Sequence, residues 1–131
     1  MAAEPARLPA PNSRAANKVL ASFSQAYSDG SLAGMRALLT QDVRGPRGGL
    51  DSILAEYDLL FGSSRERSLA LRDVSWFTSG ETFTIIASYD ATVVAARNGR
   101  QLRTRGDLRM DLRRENDQWR IFRLRHDQRG G

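Results

Sequence analysis

The stretch that decides the fold is residues 83–112, FTIIASYDATVVAARNGRQLRTRGDLRMDL. Its first part alternates. Phe83, Ile85, Ala87, Tyr89, Ala91 and Val93 share one face, against Thr84, Ser88, Asp90 and Thr92 on the other. Sustained period-two alternation marks a half-buried antiparallel strand. Asn98-Gly99 is a strong hairpin signal. The returning strand puts Leu102, Thr104, Gly106, Leu108, Met110 and Leu112 inside. Arg103, Arg105, Asp107, Arg109, Asp111 and Arg113 face outward. A sheet built on two strands of about 13 residues each must twist and bend.

Downstream, Glu115-Asn116-Asp117 turns the chain, and Trp119 to His126 forms a last strand. Upstream, Leu69 and Leu71 alternate with polar neighbours, and so do Val74 and Trp76. The parity slips between Leu71 and Val74, which predicts a bulge. Before residue 66 the period is helical. A first helix runs from about Arg14 to Ser28, capped by Ser13, with Ala16, Val19, Leu20, Phe23, Ala26 and Tyr27 at helical spacing. Asp29-Gly30 stops it. Ser31 caps a short second helix carrying Leu32, Met35, Leu38 and Leu39. Gln41-Asp42-Val43 leads out of that helix. Leu50, Ile53, Leu54, Tyr57, Leu60 and Phe61 make the stripe of a third. The loop ahead of it, Gly45-Pro46-Arg47-Gly48-Gly49, reads as a connector. Its alternative use is an anion site assisted by Arg44 and Arg47, although the spacing fits no phosphate-loop motif.

The order is therefore three helices, then four antiparallel strands, an α+β arrangement. One domain spans 14–128. Residues 1–13, with Pro5, Pro9 and Pro11, read as a flexible Ala/Pro-rich tail or linker, and 129–131 as a second tail. The chain of 131 residues is long enough to bury a core without staples. It has no cysteine, which excludes disulfides and thiol chemistry. Its one histidine, His126, excludes two-histidine metal motifs. No metal or cofactor is implied. No apolar run reaches the length of a membrane span. The N-terminus lacks a signal-peptide core, which points to the cytoplasm unless the chain is cut from a longer exported protein.

Charge is uneven. Residues 1–96 carry nine basic and ten acidic groups, and residues 97–131 carry eleven and five. Nineteen of the 20 basic residues are arginine, which suggests a GC-rich coding bias. The basic C-terminal third reads as a solvated sheet face of interleaved Arg and Asp. A nucleic-acid surface is the less favoured reading, because acids interrupt the arginines and no aromatic platform accompanies them. Arg103-Thr104-Arg105 and Arg123-Leu124-Arg125 are expected close in space on neighbouring strands, with acids such as Asp107, Asp111 or Asp90 interleaved in cross-strand ion pairs.

Three segments in order resemble the nuclear-transport-factor-2-like superfamily, which includes SnoaL-like cyclases and ketosteroid isomerase. They are Phe23 to Leu32 running into Met35 and Leu38-Leu39, Gly48 to Leu54, and Arg113 to Ile121. The resemblance covers about residues 14–127. It implies a cystatin-like cone: three helices packed in a strongly bent four-stranded antiparallel sheet, with a pocket at the open end. It also implies a homodimer through the sheet face. The fold alone does not fix a function.

Isomerase chemistry in this superfamily uses a tyrosine, a carboxylate base and a protonated acid. By the resemblance these slots fall on Phe23, the Arg44–Gly49 loop and Gly106, so all three are vacated. Asp42, Asp90 and Asp107 are the substitute carboxylates. The expected pocket is Phe23, Tyr27, Tyr57, Phe61, Phe83, Tyr89, Thr104, Leu108, Met110 and Arg125. Tyr57 and Tyr89 would be its polar points, since a buried hydroxyl needs a partner. Counting alternation from Trp119 places Arg125 inward and His126 at the surface or rim. The leading reading is a non-catalytic domain that binds a small apolar molecule or serves dimerisation. The alternatives are an enzyme using one of the three carboxylates, and binding of an anionic partner by the C-terminal arginines.

Overall fold

The computed structural model describes residues 11–128. The tail readings at 1–10 and 129–131 lie outside the described residues. Helix α1 (Ser13–Asp29) is capped by Asn12, whose Oδ1 accepts the Ala15 N–H at 2.8 Å. Ser13, the expected cap, is instead the first helical residue, and its Oγ accepts from Trp76 Nε1 at 3.2 Å. Gly30 closes the helix at φ 65°, a left-handed conformation that suits glycine. Helix α2 (Leu32–Leu38) is capped by Ser31 as expected, with the Gly34 N–H on its Oγ at 2.9 Å.

The next six residues are a strand, not a helix exit. Strand β1 (Leu39–Arg44) pairs in parallel with the last strand, from Leu39 opposite Ile121 to Arg44 opposite Arg123. The sheet therefore has five strands rather than four. β1 buries Leu39, Thr40 and Val43, a spacing of i, i+1 and i+4 that breaks strand alternation and reads as a helical stripe.

Helix α3 (Leu50–Ser63) follows, then β2 (Ser64–Ser79), β3 (Thr82–Ala95), β4 (Gln101–Glu115) and β5 (Gln118–Gln128), in the spatial order β1-β5-β4-β3-β2. The predicted bulge lies in β2. Its register with β3 shifts between Arg72 and Ser75, and Asp73 sits at φ 54°. β5 carries a second bulge that alternation counting missed. Leu112 pairs with Ile121 but Asp111 pairs with Arg123, so Phe122 is the extra residue. An extra residue reverses the faces of everything after it.

The β3–β4 pair carries the expected faces. Its inward rows run from large to small. Phe83 faces Leu112 and Ile85 faces Met110 at one end, while in the other half each large residue faces a small one, Leu108 opposite Ala87 and Tyr89 opposite Gly106, and Ala91 faces Thr104. Phe83, Ile85, Met110 and Leu112 are essentially unexposed. They close the narrow end of the cone against Ile121 and Met35, which are equally buried. Among the described residues no helix is long and apolar enough to cross a membrane.

On the outer face, Asp90 takes Arg103 through both carboxylate oxygens at 2.9 and 2.6 Å. Asp111 is 2% exposed; it accepts the Thr84 hydroxyl at 2.7 Å and lies 3.3 Å from the Arg123 guanidinium. The ion pairs are thus present, but the two arginine clusters do not meet. β5 ends opposite Gly106, so Arg103 and Arg105 lie beyond it.

Leu112→Ala should open a void at the closed end that no neighbour can fill. The expected loss is about 2–5 kcal/mol of unfolding free energy, read by urea denaturation with the slope unchanged.

Candidate functional site

The small residues of β3 and β4 leave a cavity of about 380 Å³ between the concave sheet, α1 and α3. Six of the expected residues line it: Phe23 and Tyr27 from α1, Tyr57 from α3, Tyr89 from β3, and Thr104 and Leu108 from β4. Four do not. Phe83 and Met110 face inward but lie wholly buried in the closed end, with Phe83 between the Trp76 and Trp119 rings at 5.7 and 5.1 Å. Alternation gives a side chain's face, not its depth along the cone. Phe61 stacks behind Tyr57 at 5.8 Å and lies under the Arg67 guanidinium. Arg125 points outward, opposite Arg109, because the Phe122 bulge inverted the count.

His126 holds the lining place that Arg125 was expected to hold. It is exposed at the rim, and its ring meets Tyr89 edge-on at 6.2 Å. Lining residues absent from the expected pocket include Ile53, Leu124, Arg47 and Glu56. The stripe at Leu50, Ile53, Leu54 and Tyr57 was the available signal for Ile53. The Gly-Pro loop was the signal for Arg47.

The interior is an aromatic cluster. The Tyr57 ring meets Phe23 and Tyr27 edge-on at 6.4 and 6.5 Å. Burial pushes the Tyr57 hydroxyl above the ordinary phenol range, and nearby Tyr27, Glu56 and Tyr89 push the same way. Tyr27 is raised by burial, against the opposing effect of the Arg67 charge. Tyr89 is raised by burial and by Asp127 and Asp107. All three are neutral phenols at ordinary pH. Among the described residues, no protein group hydrogen-bonds the Tyr57 hydroxyl.

None of the three candidate carboxylates enters the cavity. Asp42 is exposed on β1, held below the usual range by two bonds to Arg113 at 3.1 and 2.8 Å. Asp90 is outward on β3 and lowered by Arg103. Asp107 is outward and exposed, opposite Asp127. The acid slot at Gly106 is physically filled. A Cβ there would run into the Asp127 carbonyl oxygen and lie 2.7 Å from the Tyr89 ring. The enzyme reading built on these carboxylates therefore has no support in the geometry. Among the described residues no three His, Cys, Asp or Glu side chains gather as a metal site.

No family model matches the sequence, and no curated protein matches it. Solved structures do. The chain is similar to a candidate aromatic ring hydroxylase from Novosphingobium aromaticivorans, with TM-score 0.82 and 16% identity over 90% of this chain and 89% of that one. A candidate scytalone dehydratase from the same species gives 0.80 and 14% over 89% and 83%. A nuclear-transport-factor-2-like superfamily protein from Salmonella enterica gives 0.76 and 18% over 87% and 88%. The chain has the nuclear-transport-factor-2-like cone fold. At these identities the likeness is one of fold.

Two outcomes test this geometry. Gly106→Ala should destabilise the chain by about 1–3 kcal/mol, because both neighbours of the new methyl group are already in place; thermal unfolding reads the loss. The raised Tyr57 pKa fixes a direction with pH. Its stabilising contribution is complete below the unfolded phenol value near pH 10 and disappears as pH rises through the folded value. Unfolding free energy should therefore fall above about pH 10 by up to roughly 1.4 kcal/mol per pH unit from this group. Tyr57→Phe should flatten the fall in alkaline denaturation curves.

Proposed function

We propose that the cone binds a small, uncharged, mainly apolar molecule carrying an oxygen that accepts a hydrogen bond, and that the domain acts as a binding module rather than a catalyst. The observation that carries this reading is the Tyr57 hydroxyl. It is a neutral donor at an apolar cavity, close to Tyr27 and Tyr89, with no protein acceptor among the described residues. A phenol hydroxyl that lines the cavity donates to whatever acceptor enters, and a ligand oxygen is such an acceptor. The aromatic edges of Phe23, Tyr27 and Tyr57 suit a flat ring system. A structural neighbour named for aromatic-ring hydroxylation, and so for a ring compound, agrees with that fit. Native mass spectrometry paired with a denaturing run should show a releasable neutral mass. Tyr57→Phe should weaken the uncharged ketone 6-propionyl-2-(dimethylamino)naphthalene about 2- to 12-fold and leave naphthalene unchanged. Equal effects on both compounds would refute the hydrogen bond.

A specific observation also favours a homodimer through the outer sheet face. Across the β4–β5 pair Arg109 faces Arg125, and one row on Asp107 faces Asp127. Arg109 also lies 3.5 Å from Asp111, and each of these rows presents one sign of charge on the outer face. A second copy turned by a two-fold axis between those rows lays arginines on aspartates, a self-complementary arrangement. Asp107→Arg should shift sedimentation toward monomer, and Asp107→Asn should do so less.

A further inference from the structure

We infer that the turn Gly45–Gly49 is a flap over the cavity, and that the Arg47–Glu56 ion pair is the latch that sets how fast ligands pass it. The inference rests on the reading of the cone as a ligand site and adds its entry route.

The cavity's walls differ in what it costs to move them. α1, α3 and strands β3 to β5 all bury side chains and carry full backbone ladders. The turn between β1 and α3 does neither. Pro46 and Arg47 are exposed, and none of its five residues is fully buried. The β1 ladder ends at Arg44 opposite Arg123. Beyond it, the Gly45 N–H donates to the Gly48 carbonyl at 2.8 Å and closes a tight loop. Regions with few buried contacts open first. Yet Gly45, Pro46 and Arg47 line the cavity, as Glu56 of α3 does.

The turn is built to move as one piece. Pro46 fixes its own φ, and the Gly45–Gly48 bond holds the loop's shape. Glycines flank it at both ends: Gly45 on one side, Gly48 at φ 144° and Gly49 on the other. Gly45 and Gly48 bed directly on α3. A Cβ at Gly45 would sit 3.2 Å from the Ile53 side chain, and one at Gly48 would sit 2.6 Å from Ser52 Oγ. The seat is backbone against helix, without interlocking side chains of the turn's own. The fastening is the Arg47 guanidinium donating to the Glu56 carboxylate, with the two side chains 72% and 45% exposed. An exposed ion pair is weak and sensitive to salt, which suits a contact that breaks and reforms.

The test is stopped-flow binding of 6-propionyl-2-(dimethylamino)naphthalene, an uncharged probe, to the wild type, Glu56→Gln, Arg47→Gln and the swapped double variant Arg47→Glu/Glu56→Arg. Each single variant should raise both the association and the dissociation rate by about 1.5- to 5-fold, the range an exposed pair supports. Their ratio should stay constant. Raising salt from about 0.05 to about 1 M should speed the wild type and leave the single variants unchanged. The double variant should return to the wild-type rates. Unchanged rates in the single variants would overturn the latch. So would a change confined to dissociation, which would make Arg47 or Glu56 a ligand contact. If the wild type does not bind the probe, the cavity reading is what fails, and hydrogen exchange decides the flap separately. The Ile53 amide, which donates to the Gly49 carbonyl of the turn at 3.0 Å, should exchange faster in Glu56→Gln by the same factor, with the Tyr57 amide further along α3 unaffected. Equal exchange in both proteins would refute the flap.

Discussion

The cone depends on how side-chain bulk is distributed along two strands. Inward residues of β3 and β4 are large from Phe83 to Met110 and small from Ala87 to Thr104. Interiors pack to a fixed density, so the bulky rows draw the sheet tight around Met35 and Ile121, and the small rows cannot reach the helices. Leu108 and Tyr89 are the large residues of this half, and each faces a small partner: Leu108 lies opposite Ala87, and Tyr89 fits because Gly106 opposite it has no side chain. The hollow is therefore a property of a gradient rather than of any one residue, and its walls inherit the stiffness of the ladder beneath them.

That gradient also separates two chemistries by face. The concave face holds phenols and hydrocarbons. The convex face holds the ionised groups, paired across strands, with Asp111 nearly enclosed among Thr84, Arg109 and Arg123. Asp42 and Asp90, two of the carboxylates that the sequence nominates for proton transfer, are thus committed to Arg113 and Arg103 in ion pairs that favour their charged form. The C-terminal excess of arginine is not an open basic surface. Asp111 on one side of the Arg109–Arg125 row, and the Asp107–Asp127 row and Asp90 on the other, interrupt it.

Much of this was legible in the sequence, and the misses have common physical roots. Strands β3 and β4, their faces and the β2 bulge follow from strict alternation and its one interruption. The helices follow from apolar spacing and from Ser31 and Gly30. Strand β1 was hidden because a short parallel strand is defined by its partner, here β5, and Leu39, Thr40 and Val43 follow helical spacing rather than alternation. The exchange of Arg125 for His126 came from one bulge at Phe122, which no local pattern announces. Phe83 and Met110 were placed on the right face but at the wrong depth, since depth depends on the helices across the core. Phe61 was displaced by Tyr57, which stands between it and the hollow.

The bulge at Phe122 has an evolutionary meaning. Everything beyond it, from Arg123 to Asp127, owes its face to a single inserted residue. Loss of one codon there would turn Arg125 toward the hollow and His126 away from it. A scaffold of this kind can exchange an imidazole for a guanidinium at its mouth by a change in length, without altering the identity of either residue. Descent within such a lineage would then leave its trace in gaps rather than in substitutions.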